Sequence, residues 1–277
     1  MKVALIQLAY GDDESVADRV LRASALVREQ RGHDLVVLPE LWAAGGFAYR
    51  DWQERAETTN GPVAQAMSEA AREAGVTLHA GSIVETTSGA AAGRDGKDLW
   101  NTSLVFGPDG TLAATYRKIH RFGFGAGEPL LMEAGEDLVM MDLPDGGGGG
   151  GGTVRAGLST CYDLRFPELY RAQLDLGATL FVIPAAWPRP RVQHWTLLAH
   201  ARAIENQCVV IACNTAGTHS GHEMGGHSQV VSPTGEALAM AGPGEEVLSV
   251  DIDMSAVDAL RQSFPVLDDR RIPDHLH

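Results

Sequence analysis

Apolar and polar positions alternate through residues 2–8, where Val3, Leu5 and Gln7 oppose Ala4 and Ile6, and this period of two predicts a strand. Through residues 14–31 the period lengthens: Val16, Val20, Leu21, Ala25 and Val27 recur at helical intervals. The continuous run Leu35-Val36-Val37-Leu38 predicts a strand buried on both faces. A helix over 62–74 and a strand over 76–84 follow. Strands at 101–106 and 112–116 flank Pro108-Asp109-Gly110, a strong hairpin turn. A helix begins near residue 166, with Pro167 suited to its first turn. Then come a strand at 179–183, a helix at 194–206 and a strand at 208–213. A hairpin about Pro233-Thr234-Gly235 and a last strand at 247–252 complete the pattern. Helices alternating with strands and hairpins predict an α/β protein with mixed sheets.

One segment breaks the pattern, the seven glycines 146–152. The flanks, 138–143 and 154–159, both read as strands. We therefore expect a surface loop lengthened at its tip, a cheap insertion in entropy, rather than an interdomain linker.

Composition narrows the class. An apolar share of 44% suits a globular chain. The 22 cationic and 36 acidic side chains leave a net charge of −14, which argues against nucleic acid and anionic membrane as partners. Three cysteines, Cys161, Cys208 and Cys213, are too few for a disulfide framework and predict a reducing, cytoplasmic setting. The N-terminal apolar run is too short for a signal peptide, and no stretch reaches the ~18 apolar residues of a membrane span.

Three segments place a reactive side chain just after an apolar strand, where open α/β sheets usually put their sites. In Leu35-Val36-Val37-Leu38-Pro39-Glu40, the carboxylate of Glu40 sits among apolar neighbours and suits a general base; the alternative is a loop glutamate that caps or faces solvent. Tyr116-Arg117-Lys118-Ile119-His120-Arg121 is either a solvated basic stretch or the source of one inward cation, Lys118, that stabilises an oxyanion and keeps a nearby thiol ionised. In Leu158-Ser159-Thr160-Cys161-Tyr162-Asp163, a strand leads to Cys161 and a sharp turn, as in other hydrolases, although a buried free cysteine is usually inert. Cys208 and Cys213 bracket an apolar strand and fit that inert role. Together, a glutamate, a lysine and a cysteine make a complete set for acyl transfer without histidine.

The order and context of these segments resemble the nitrilase superfamily, the carbon–nitrogen hydrolases. Leu38-Pro39-Glu40, Tyr116-Arg117-Lys118-Ile119-His120 and Cys161-Tyr162-Asp163-Leu164-Arg165-Phe166-Pro167-Glu168 are similar to its three signatures. So are Asn101-Thr102-Ser103, Pro184-Ala185-Ala186-Trp187, Arg202-Ala203-Ile204-Glu205-Asn206, Gly226-His227-Ser228 and Arg261, so that the resemblance spans residues 2–272. It implies a four-layer α-β-β-α sandwich, a single domain over residues 1–277, no metal and no organic cofactor. It also implies a homodimer or larger homo-oligomer. Glu40 would be the base, Lys118 the oxyanion cation and Cys161 the nucleophile. A second glutamate is implied after the lysine, with Glu128 the leading candidate and Glu133 and Glu136 its rivals. Tyr162-Asp163 after the cysteine is similar to the omega-amidase and deaminated-glutathione amidase branch, so the implied substrate is a small carboxylate-bearing amide. Arg165 would hold its carboxylate, or else pair with Glu168 or Asp163. Tyr162 would supply an N–H to the oxyanion and Trp187 an apolar wall. An N-carbamoyl amino acid hydrolase, a nitrilase and a catalytically silent binding protein are the alternatives. His219, His222, Glu223 and His227 lack the H-E-x-x-H order and lie in a glycine-rich loop, so a metal site is not expected there.

Overall fold

The computed structural model describes residues 1–89, 93–145 and 152–271. Its strands are β1 (Lys2–Gln7), β2 (Leu35–Val37), β3 (Thr77–Thr86), β4 (Leu99–Phe106), β5 (Leu112–Arg117), β6 (Met140–Pro144), β7 (Thr153–Leu158), β8 (Leu180–Ala185), β9 (Val209–Asn214), β10 (Thr218–His219), β11 (His222–Glu223), β12 (Gln229–Val231), β13 (Ala237–Met240) and β14 (Glu246–Asp251). The helices are α1 (Val16–Arg28), α2 (Pro62–Ala74), α3 (Glu128–Leu131), α4 (Pro167–Asp175), α5 (Val192–Asn206) and α6 (Ser255–Ser263). They form two six-stranded mixed sheets, ordered β14-β1-β2-β3-β4-β5 and β13-β12-β9-β8-β7-β6. At the heart of each lies a parallel trio, β1-β2-β3 and β7-β8-β9.

Alternation along each strand builds four layers. Val3, Leu5, Leu35 and Val37 of the first sheet meet Leu158, Val182, Val209 and Ile211 of the second in one core. Their neighbours Ala4, Ile6, Val36 and Leu38 turn the other way, onto Ala23 and Val27 of α1 and Met67 and Ala71 of α2. Phe181, Ile183 and Val210 likewise pack under Tyr170 of α4 and Trp195, Ala199 and Ala203 of α5. The architecture is the expected α-β-β-α sandwich, and because each sheet is covered on both faces its strands read as nearly unbroken apolar runs.

The face of α1 differs from the stripe read along the sequence. Leu21 is 68% exposed and Ala25 is exposed, whereas Arg19, Ala23, Ser24 and Val27 are buried. Arg19 can occupy the inner face because its guanidinium donates to the carbonyls of Trp42 (3.0 Å) and Ala43 (3.2 Å). The strands β6 and β7 that flank the glycine run pair antiparallel from Met140 with Gly157 to Pro144 with Thr153; residues 146–151 of that run lie outside the described residues.

His79 on β3 is fully buried, and among the described residues neither ring nitrogen has a hydrogen-bond partner. Burial pushes its pKa from 6.5 down to about 4. The unfolded chain therefore takes up a proton between those values that the folded one refuses, so stability is greatest above the higher value and drains away as pH falls towards the lower. His219, lowered to about 4 chiefly by burial, adds a second such term. We expect Tm to fall between pH 7 and 5, and to fall less steeply in His79→Leu; equal slopes in thermal melts of the two proteins would contradict this.

Candidate active site

The ends of four strands converge. Glu40 follows β2, Lys118 follows β5, Cys161 follows β7 and Ala186 follows β8. Backbone geometry fixes two of these ends. Leu41 (φ 45°) and Cys161 (φ 48°) both adopt the left-handed region that non-glycine residues enter only at a cost. The loop carrying Glu40 lies directly on β3 at Gly81 (φ +68°), where a side chain would meet the Pro39 carbonyl oxygen at 1.8 Å. Only glycine lets that loop close down.

Three ionisable side chains form the centre, each with 3% of its surface exposed. Lys118 Nζ lies 2.7 Å from Glu40 Oε1 and 3.0 and 2.9 Å from the two oxygens of Glu128. Asn101 Nδ2 donates both to Glu40 Oε1 (2.8 Å) and to Glu128 Oε1 (2.6 Å). The Ala186 N–H donates to Glu40 Oε2 (2.9 Å), and the Phe122 N–H to Glu128 Oε2. Every one of these bonds is donated to a carboxylate oxygen. Two negative charges so close would repel strongly in a dry interior; the ammonium between them and the amide spanning them offset that repulsion.

The pKa directions follow. Burial disfavours the ammonium of Lys118, but the charges of Glu128 and Glu40 outweigh it and hold the group well above its ordinary value. Burial, with the charge of Glu40, lifts Glu128 despite Lys118. Burial and the charge of Glu40 push the Cys161 thiol well up, against the pull of Lys118. Lys118, shared between two glutamates, favours the thiolate less than burial and Glu40 disfavour it.

Asp163 fastens the Cys161 turn to the end of β5. Fully buried, it accepts from Tyr116 Oη (2.7 Å), Thr160 N (2.8 Å) and His120 N (2.9 Å), and lies 2.8 Å from His120 Nδ1. The other cations of that segment are turned outward to carboxylates, Arg117 to Glu85 and Arg121 to Asp95.

Cys161 opens on a small cleft shared with Phe122, Tyr162, Trp187, Arg165 and Arg191. Its cavity volume is about 20 Å³, far below the ~300 Å³ at which drug-sized pockets begin. Arg165 pairs with neither Glu168 nor Asp163. It lies over the Trp187 ring at 4.7 Å and 3.2 Å from His194 Nδ1. The rival glutamates are elsewhere: Glu133 accepts from the backbone of Asp95 and Lys97, and Glu136 pairs with Arg94. Cys208 and Cys213 are fully buried, with the thiol of Cys208 pushed up to about 12 chiefly by burial. The histidines around 219–227 disperse: His219 stacks on Tyr10, His222 packs on Phe47, and His227 Nδ1 lies 2.7 Å from the Gly225 carbonyl.

Four participants were not singled out in the sequence. Asn101 stood inside a familiar triplet without a role. The Ala186 N–H is a backbone group with no sequence signal. Tyr49 stands far from any motif, yet its phenol is pushed up to about 12 by burial and then by the charges of Glu128 and Glu40. Arg191 lies in a Pro-Arg-Pro-Arg run that reads as a loop.

The family model described as carbon-nitrogen hydrolase matches residues 2–262. The chain is 46% identical over 271 residues to the 2-oxoglutaramate amidase of Paenarthrobacter nicotinovorans, covering 98% of this chain and 90% of that one. It is 36% identical over 280 residues to the omega-amidase of Homo sapiens, covering 98% and 95%. Among solved structures, a carbon–nitrogen hydrolase superfamily protein of Xanthomonas campestris, with an arsenic adduct in its active site, superposes with a TM-score of 0.86 at 28% identity over 99% of this chain and 98% of that one. A branch 10 nitrilase superfamily member from Saccharomyces cerevisiae gives 0.82 at 31% identity, covering 98% and 97%. A family model and relatives that each run nearly the length of the chain, over a fold of the same layers, leave one conclusion: the chain belongs to the carbon-nitrogen hydrolase family and is an amidase of the nitrilase superfamily.

Proposed function

We propose that the enzyme is an omega-amidase, removing ammonia from the terminal amide of a short carboxylate-bearing compound by way of a thioester on Cys161. The observation that carries this reading is the buried contact of Lys118 with Glu40 and Glu128 beside the Cys161 thiol. The names of the relatives, 2-oxoglutaramate amidase and omega-amidase, support the substrate class.

On this reading each residue takes a role. Glu40 removes the thiol proton as sulfur attacks the amide carbon, because its second oxygen, held by the Ala186 N–H, is the one not engaged by Lys118. Lys118 and the Tyr162 N–H stabilise the oxyanion. Collapse breaks the C–N bond as Glu40 gives its proton to the nitrogen, which leaves as ammonia. Water then gives a proton to Glu40 as its oxygen attacks the thioester, and that proton returns to the sulfur as the C–S bond breaks, leaving the acid and the free thiol. Glu128 anchors Lys118 from the far side and Asn101 keeps the two glutamates apart. Trp187 walls the cleft, and Arg165 takes the distal carboxylate.

We further propose one catalytic unit, a cytoplasmic setting for its three unpaired cysteines, and assembly as a homodimer or larger homo-oligomer. Leu197 and Ile204, exposed on the outer face of α5, are consistent with burial between subunits.

An ammonia-release screen tests the reaction. We expect turnover of 2-oxoglutaramate and succinamate to exceed that of N-carbamoyl amino acids and simple nitriles by at least ~100-fold in kcat/KM, a difference of about 2.7 kcal/mol in transition-state binding. A preference for ureido acids or nitriles would overturn it.

A further inference from the structure

The cleft beside Cys161 carries a second cation that the reaction just described does not use. Arg191 is half-buried and lines the same small space as Arg165. The chain holds 36 acidic side chains against 22 basic ones, and arginines such as Arg19, Arg22, Arg117, Arg121 and Arg189 each pair with a carboxylate. Among the described residues, neither Arg165 nor Arg191 has a carboxylate within ion-pair distance.

Both guanidiniums are held by their faces. Arg165 lies 4.7 Å over the Trp187 ring and Arg191 5.5 Å over that of Phe122. Face stacking leaves the in-plane N–H groups available to an acceptor. The backbone of Arg191 is also fixed: its carbonyl accepts from Trp187 Nε1 (2.8 Å), and its N–H donates to the Pro188 carbonyl (3.1 Å). It stands at the N-cap of α5, where the helix dipole disfavours a cation. Burial, and after it the charge of Arg191, disfavours the protonated form of Arg165. Two like charges therefore face one cleft, one of them at an unfavourable helix end. An anion between them relieves both penalties at once.

We infer that Arg191 is a specificity-determining residue, which closes with Arg165 on the substrate's distal carboxylate and so makes the enzyme select acidic amides over neutral ones of equal size. The inference rests on the omega-amide reading and deepens it. It also accounts for Phe122 carrying both the cation stack and, through its N–H, a bond to Glu128. The residue that orients Arg191 thus touches the catalytic group, which couples carboxylate capture to the reacting end of the cleft.

Succinamate and succinamide differ only in that a carboxylate replaces a neutral amide at the far end. Ammonia release from each, by wild-type enzyme and by Arg191→Met, separates charge recognition from catalysis. We expect the ratio of kcat/KM for succinamate over succinamide to fall at least about tenfold in Arg191→Met, about 1.4 kcal/mol, mainly through KM for succinamate. Raising ionic strength should raise that KM in the wild type and do so less in the variant, a response that a merely structural role for Arg191 would not alter. Arg191→Lys should recover part of the preference. A wild-type preference that survives intact in Arg191→Met overturns this inference alone, as does an equal loss on both substrates. Wild-type enzyme that hydrolyses succinamide as well as succinamate overturns it together with the omega-amide reading.

Discussion

Cys161→Ala should lower kcat/KM on the best omega-amide by about four orders of magnitude or more, the scale on which removing a nucleophile acts. The reason is chemical rather than structural. The methyl group fills most of the thiol's space and leaves the backbone unchanged, and the side chains of Asp163 and Thr160 still fasten the turn. Thermal stability should therefore change little. An independent check uses the native enzyme. Iodoacetamide should modify Cys161 far faster than Cys208 or Cys213, because only Cys161 opens on a cleft and faces a base. Near-native turnover in the alanine variant, or equal labelling of all three thiols, would sink the mechanism.

Much of this was legible in the sequence for a physical reason. An apolar run buried on both faces ends abruptly, and the ionisable residue just beyond it must sit at a sheet end. Leu35-Val36-Val37-Leu38 before Glu40 and Val154-Arg155-Ala156-Gly157-Leu158 before Cys161 carry that signal. The layers were legible too, since Val3 and Leu5 oppose Ala4 and Ile6 in the sequence as they do in the two cores. What escaped was set by pairing and packing at a distance. Asn101 stands within β4, and the register of β3, β4 and β5 brings it between the two glutamates. The inward face of α1 escaped because a buried arginine bonded to carbonyls occupies it, while Leu21 faces outward. The upward push on the thiol depends on burial and on how many carboxylates share Lys118, which residue types alone leave open. The roles of Glu40, Lys118 and Cys161 themselves are matters for mutation.

Glu40→Gln separates the base from the scaffold. The amide is nearly isosteric, and with its oxygen turned to Asn101 and Lys118 it keeps both of those contacts, while the Ala186 N–H loses its acceptor. It cannot accept a proton, and Glu40 is used in both the acylation and the thioester hydrolysis. Loss of a general base ordinarily costs 10²- to 10⁴-fold, so turnover should fall by about 10³-fold or more. The thiol should move the opposite way. In the wild type the charge of Glu40 is, after burial, the main influence holding Cys161 protonated, with Lys118 opposing it. Removing that charge leaves the ammonium shared with Glu128 alone, so the thiolate becomes easier to form. The alkylation rate of Cys161 plotted against pH should then rise at lower pH in Glu40→Gln than in the wild type, even as ammonia release collapses. A variant in which both turnover and thiolate formation fall would mean that Glu40 only positions its neighbours. One that keeps its turnover would assign the base elsewhere. Divergence of the two readouts is the signature of a carboxylate that acts by taking the proton, since its charge both suppresses the resting thiolate and drives the transfer when the amide carbon is in reach.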